Sequence, residues 1–206
     1  MPLYICNDIN DPNIDKAVLL HIEHLSYRSF ITSFGPRLLS ALYRDWIRLD
    51  NAILIISEEH GSANGFVLGI KNKDLLFNPI KLNPLKYAKY IFSTLCRKPL
   101  LLKKMFETLF YKSKSKNAVK AELLVIVTDS NNRSGGLGST LVNRLSEEFQ
   151  KNRINEYVVT VHAEMKKSNN FYIKNKMTYS DSFILYGTKW NIYKKSNNQN
   201  EENTLG

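Results

Sequence analysis

Scarcity is the first thing this 206-residue sequence offers. It has two cysteines, Cys6 and Cys96, nine glycines and six prolines. Two cysteines cannot build a disulfide framework, so a reducing, cytoplasmic home is expected. No uncharged apolar run approaches the ~20 residues that span a bilayer. The start, MPLYICND, shows neither a basic nor an apolar segment of the kind a secretory signal needs. The four histidines and two cysteines have no metal-ligand spacing, so no metal site is expected. No internal repeat is visible. What remains is an ordinary soluble composition, 43% hydrophobic and 23% charged.

Acidic residues are also scarce, in one place. Residues 71–120 carry 13 Lys/Arg against two acids, Asp74 and Glu107, whereas the rest of the chain has 16 against 17. The net charge of +10 therefore belongs to one block. Such a block suits nucleic acid, an anionic membrane surface or a phosphorylated substrate, and equally the solvated faces of two helices.

Hydrophobic periodicity gives the element order. Pro2–Asn7 reads as a short strand. Asn13 opens a helix with Val18, Leu19, Ile22 and Leu25 on one stripe, and Pro36 opens a second with Leu38, Leu39, Leu42, Tyr43 and Trp46. Asn51–Ser57 and Asn64–Ile70 read as a hairpin. Tyr87–Leu95 and Leu100–Tyr111 are helical patterns inside the basic block, and Lys112–Asn117 reads as a loop. Glu122–Thr128 is an apolar strand, Leu137–Phe149 a helix, Glu156–His162 a strand and Ser168–Lys176 a helix. Ser182–Tyr186 and Trp190–Tyr193 are final strands. Residues 1–195 are read as one domain, 71–120 as a basic, mostly helical insertion, and 196–206 as a polar disordered tail. The order implies an α/β fold with a mixed sheet.

Three of the nine glycines fall within four positions, in Arg133-Ser134-Gly135-Gly136-Leu137-Gly138, between a strand and a helix. Free N–H groups and the dipole at a helix start favour a phosphate, and glycine lets it come close. The loop lacks the Gly-Lys-Ser/Thr ending of a Walker A and the Gly-x-Gly-x-x-Gly spacing of a Rossmann turn. A plain tight turn is the alternative. The segment fits Arg/Gln-x-x-Gly-x-Gly/Ala and resembles the coenzyme A pyrophosphate loop of the GNAT superfamily of acyl-CoA-dependent N-acyltransferases. The likeness runs from Lys120 to Lys176. Phe34-Gly35-Pro36-Arg37-Leu38-Leu39 also resembles the second helix of some bacterial members.

That resemblance implies a central sheet splayed in its middle, helices on both faces, and acetyl-CoA as co-substrate. Ile126, Val127 and Thr128 would hold the pantetheine arm by their backbone. Arg133, Ser134, Gly135, Gly136, Leu137, Gly138 and Ser139 would hold the diphosphate. Glu122 stands eleven residues before Arg133, the offset at which histone-acetyltransferase-like members carry their base; a charged strand-start residue is the other reading. Tyr172, in Phe171-Tyr172-x-Lys174, matches the family's thiolate-protonating tyrosine, or is a core aromatic. The family's asparagine is Met165 here, with Asn169 or Asn170 as a substitute. Ser168, Lys176 and Met177 are further departures. His24, Arg28 and Phe34 lie where members form the acceptor pocket. His162 ends the strand after the glycine helix and reads first as a surface histidine, with contact to substrate as the alternative. The expected acceptor is a small-molecule primary amine, anionic in the case of a nucleotide-linked amino sugar of surface polysaccharide biosynthesis. A peptide amine is the alternative, as is a non-catalytic CoA-binding module with a basic surface. Peripheral membrane contact is a further expectation, nucleic acid is disfavoured, and the chain is expected as a monomer or homodimer.

Overall fold

The computed structural model describes residues 2–25, 30–101, 118–129 and 136–197. Seven strands form one sheet in the order β1-β2-β3-β4-β5-β7-β6. They are β1 (Leu3–Ile5), β2 (Ala52–Glu59), β3 (Ser62–Ile70), β4 (Ala121–Thr128), β5 (Glu156–His162), β6 (Thr178–Leu185) and β7 (Thr188–Ser196). All neighbours pair antiparallel except β4 and β5, which run parallel.

One face is covered by α1 (Asn13–Leu25) and α2 (Pro36–Arg48). Their Ile14, Ala17, Val18, Leu38, Leu42 and Tyr43 pack on Leu54, Ile56, Phe66 and Leu68 of the sheet. Between β3 and β4 stand α3 (Asn78–Leu82) and α4 (Pro84–Arg97), both in the basic block. Prolines in the first turns of α2, α3 and α4 fix φ where no N–H is needed. The other face carries α5 (Leu137–Lys151) and α6 (Lys166–Lys174). Leu141, Leu145 and Phe149 of α5 meet Ile55, Val67, Tyr157 and Val159. With helices on both sides, β2 is buried on both faces, which is why its sequence AILII is apolar without alternation.

The two hairpins turn at His60-Gly61 and Tyr186-Gly187, each with both residues at positive φ. That is the two-residue turn whose twist matches the flanking strands.

Several boundaries differ from the sequence reading. The last helix begins at Lys166 and stops at Lys174, with Lys176 at φ 61°. β6 starts at Thr178, four residues before the expected Ser182, since Thr178-Tyr179-Ser180-Asp181 is exposed edge strand without an apolar face. β7 continues to Ser196, and Asn197 is buried, donating Nδ2 to Ile154 O at 3.0 Å and its N–H to Asn155 O at 2.7 Å. The polar tail therefore cannot begin at 196. Residues 198–206, the helix expected beyond Leu101 and the loop at 112–117 lie outside the described residues.

Candidate active site

The site is built on a fault in the sheet. β4 and β5 pair only at Ala121–Tyr157, Glu122–Val158 and Leu123–Val159. Beyond that point β5 continues beside β7, and β4 continues beside β3, so the two parallel strands part. A bulge prepares the parting. Val125 pairs with Leu68 and Leu123 with Gly69, leaving Leu124 as the extra residue. Ala121 and Leu123 pack toward α5, but Leu124 and Val125 both pack toward α1 and α2. The strand has bent between them. From Leu124 to Thr128, β4 has strand pairing only on its β3 side, and alternate backbone groups face the gap.

At the mouth of the gap α5 begins. Gly136 is its N-cap, at φ 75° and with no neighbour near a Cβ position, so glycine serves the left-handed turn itself. The first N–H groups, of Leu137, Gly138 and Ser139, have no intrahelical acceptor; the helix closes with Thr140 N–H on Gly136 O at 3.1 Å. The Leu137 side chain is buried, leaving its backbone as the usable part. Gly138 is small for a different reason: a Cβ there would stand 3.1 Å from Phe171 of α6 and 3.9 Å from Thr128. It lets α6 approach the start of α5 and the end of β4. Arg133, Ser134 and Gly135 lie outside the described residues.

At the apex the sheet separates two titratable groups. Glu122 sits at the last but one β4–β5 pair, partly buried, on the face of α1 and α2. Thr160, the first β5 residue past the parting, donates its hydroxyl to Glu122 Oε1 at 3.0 Å. Burial raises the Glu122 pKa, and the Thr160 hydrogen bond and the charge of Lys73 only partly offset it. On the opposite face Tyr172 is buried and stacks on Tyr193, the β7 partner of Val159. Val159 thus touches Leu123 on one side and Tyr193 on the other. Burial, with Tyr157 nearby, raises the Tyr172 pKa as well. Among the described residues its hydroxyl has no hydrogen-bond partner.

Three sets of contacts were invisible in the sequence. Thr160 positions Glu122 across a 38-residue separation. His162, two residues further along the same face, packs edge-on against Trp190, with ring centroids 5.3 Å apart, and its Nδ1 is sealed from solvent without a partner among the described residues. The β6–β7 tip reaches the segment between α1 and α2, where Tyr186 meets Phe30 at 5.9 Å and Phe30 meets Phe34 at 5.2 Å. Phe34 is buried in that cluster, His24 is half-buried in the last turn of α1, and Arg28 lies outside the described residues. Asn169 is not free to replace the missing family asparagine. Its Nδ2 donates to the carbonyls of His162 and Met165, and its Oδ1 accepts from Asn191 and Tyr193. It pins α6 to β5 and β7. Asn170 is exposed. Among the described residues no group of three His, Cys, Asp or Glu side chains could hold a metal ion.

No protein-family model matches the chain, and no curated protein matches it in sequence. Solved structures do match. A Desulfovibrio desulfuricans protein assigned to the GNAT family of acetyltransferases superposes with a TM-score of 0.62 at 8% identity, covering 95% of this chain and 99% of its own. The chain has the GNAT fold. An aminoglycoside 6'-acetyltransferase type Ii gives a TM-score of 0.61 at 12% identity, over 96% of this chain and 97% of that one. An aminoglycoside 6'-N-acetyltransferase complexed with coenzyme A gives 0.59 at 12%, over 96% and 97%. At these identities the likeness is one of architecture, and the gap between β4 and β5 is the splayed centre expected of a GNAT sheet.

Proposed function

We propose that this chain is an N-acetyltransferase that moves the acetyl group of acetyl-CoA to a primary amine of a small molecule. The observation that carries the reading is the placement of Glu122 and Tyr172 on opposite faces of one apex, where β4 and β5 part. A donor lying in the gap has a base on one side of its thioester and an acid on the other.

In this reading the gap-facing backbone groups among Ile126, Val127 and Thr128 hold the pantetheine arm. The N–H groups from Ser134 to Ser139, with Arg133, hold the diphosphate. Glu122, its pKa raised, takes a proton from the ammonium of the acceptor, directly or through a water. The freed nitrogen attacks the thioester carbon, a C–N bond forms and the C–S bond breaks. A backbone N–H of β4 near Val127 meets the oxygen as negative charge develops. Tyr172 gives its proton to the departing thiolate. The nitrogen sheds its second proton as the amide forms, which restores the Tyr172 phenol by way of water, and the proton on Glu122 passes to solvent. No covalent enzyme intermediate is required.

The acceptor faces Glu122, Thr160 and His162, with Phe30, Phe34, Tyr186 and Trp190 nearby as apolar and aromatic surface. Such walls suit a ring-bearing amine, and a nucleotide-linked amino sugar would add an anionic group for the basic block. Names among the similar structures, aminoglycoside acetyltransferases and one bound to coenzyme A, support an amine acceptor and this co-substrate.

The test has two parts. Acetyl-CoA at ~100 times its dissociation constant should stabilise the chain by roughly 2.7 kcal/mol, with NAD and ATP inert. Thiol release should then follow the addition of one class of amine from a panel of amino sugars, sugar nucleotides, polyamines and peptides. No melting shift with acetyl-CoA removes the reading altogether. A shift without turnover by any amine leaves a binding module in its place.

A further inference from the structure

α4 has two faces that both carry apolar residues, and only one of them is covered. Tyr87, Tyr90, Ile91 and Leu95 pack inward on the core. Opposite them Leu85, Ala88, Phe92 and Cys96 recur at the spacing of one helical stripe and face outward. Leu85 is 89% exposed and Phe92 72%; at the flanks Leu82 is 63% and Leu100 86% exposed. Isolated exposed leucines need no explanation, but a contiguous stripe does. Its borders are Lys81, Lys89, Arg97 and Lys98, all exposed, and residues 75–101 contain no Asp or Glu. The helix is fixed in this attitude by its inner side: buried Asp45 of α2 accepts from Tyr87 Oη and Lys86 Nζ, both at 2.6 Å.

We propose that the outer face of α4 docks on an anionic lipid surface, with Leu85 and Phe92 entering the headgroup boundary and the flanking lysines meeting lipid phosphates. Charge complementarity decides the occupant. A second copy would bring the same basic block or a body with a net charge near −1. The chain's own 102–117 carries five lysines and one glutamate, so it is repelled by the same border. A folded acidic protein is disfavoured by size. One face of a 14-residue helix, about 21 Å by 10 Å, gives a footprint of about 200 Å², well below the ~800 Å² per partner of a stable interface. A bilayer needs no matching contour and accepts a basic amphipathic helix lying in its plane. This inference is independent of the acetyltransferase reading.

Co-sedimentation of the full chain with vesicles tests it. Binding to phosphatidylcholine mixed with phosphatidylserine should exceed binding to phosphatidylcholine alone by at least ~100-fold, at about 1 kcal/mol per basic residue near the surface. It should weaken with salt. Leu85→Asp and Phe92→Asp should each lower it ~10-fold or more, and the triple change Lys81→Glu, Lys89→Glu, Lys98→Glu should abolish it. These side chains are exposed, so circular dichroism and Tm should be unchanged. A Phe92→Trp variant should shift its emission to the blue on anionic vesicles only. Equal partition into neutral vesicles, no sedimentation, or indifference to Leu85→Asp and Phe92→Asp would overturn the proposal. So would tighter binding to poly-glutamate than to vesicles, which would give the face to an acidic protein instead.

Discussion

Two carboxylates withdrawn from water, Asp45 and Glu122, are treated in opposite ways. Burial alone would raise the Asp45 pKa, but hydrogen bonds from Lys86 and Tyr87, and the charges of Lys86 and Arg48, outweigh it and hold the group below its ordinary value. Arg48 stands 2.9 Å from Oδ1 as an ion pair without hydrogen-bond geometry. Glu122 has one hydroxyl and the charge of Lys73, and burial wins. The first carboxylate has enough partners to stay ionised and join α2 to α4. The second is under-compensated at the point where the sheet opens, as a proton acceptor needs to be. Linkage gives them opposite signs. Asp45 contributes stability above the ordinary carboxylate range, lost as pH falls through its lowered pKa. The Glu122 contribution is present below that range and lost as pH rises through its raised pKa, so at neutral pH its charge is a cost.

The sharpest way to break the comparison is Glu122→Gln. Turnover should fall by ~10²-fold or more with acetyl-CoA affinity unchanged. The same variant should melt higher at neutral pH, by about 2–4 °C for each kcal/mol of relieved desolvation. A lower Tm with intact turnover would make Glu122 structural. Asp45→Ala should do the reverse, costing about 1–3 kcal/mol by removing the acceptor shared by Lys86 and Tyr87 and leaving the Tyr87 hydroxyl only its longer bond to Ala41 O, read as a lower Tm with turnover retained in the folded fraction. Tyr172→Phe should slow thiol release about tenfold, since a thiolate leaves without full protonation. Unchanged rates would return Tyr172 to the core. Smallest at neutral pH is Thr160→Val. Removing its hydrogen bond raises the Glu122 pKa further, so the acid limb of kcat/KM should move to higher pH while the plateau stays within a few-fold. An unmoved limb would mean that another group titrates.

Much of the frame was readable because local patterns and tertiary demands agree. The stripes of α2 and α5 and the apolar runs of β2 through β5 are the same residues that fill the two cores. In α1, by contrast, Leu19 of the expected stripe is exposed, and Ile14 and Ala17 take the inner places with Val18. The failures have physical causes. Asn78-Pro79-Ile80-Lys81-Leu82 is too short to show a period, so α3 was missed. The first half of β6 is exposed edge strand. In the site, the resemblance singles out Glu122 as the proposed base by its offset from Arg133, and the glycines mark the helix start. The bulge at Leu124 could not be seen, since ELLVIVT reads the same bent or straight. Nor could the contact of Thr160 with Glu122, because which strands meet, and where they part, depends on register. Gly138 has a second reason to be glycine that the sequence does not show. Its missing side chain makes room for Phe171, so one glycine of the cluster answers to helix packing.

The parting of β4 and β5 also sets the kinetic form of the proposed reaction. In that reading the donor lies in the gap toward α5 and the acceptor comes from the side of Glu122, so neither need displace the other and both can be lodged before any bond changes. Initial-rate plots at several fixed concentrations of one reactant should then intersect rather than run parallel, and neither product should have to leave before the second reactant arrives.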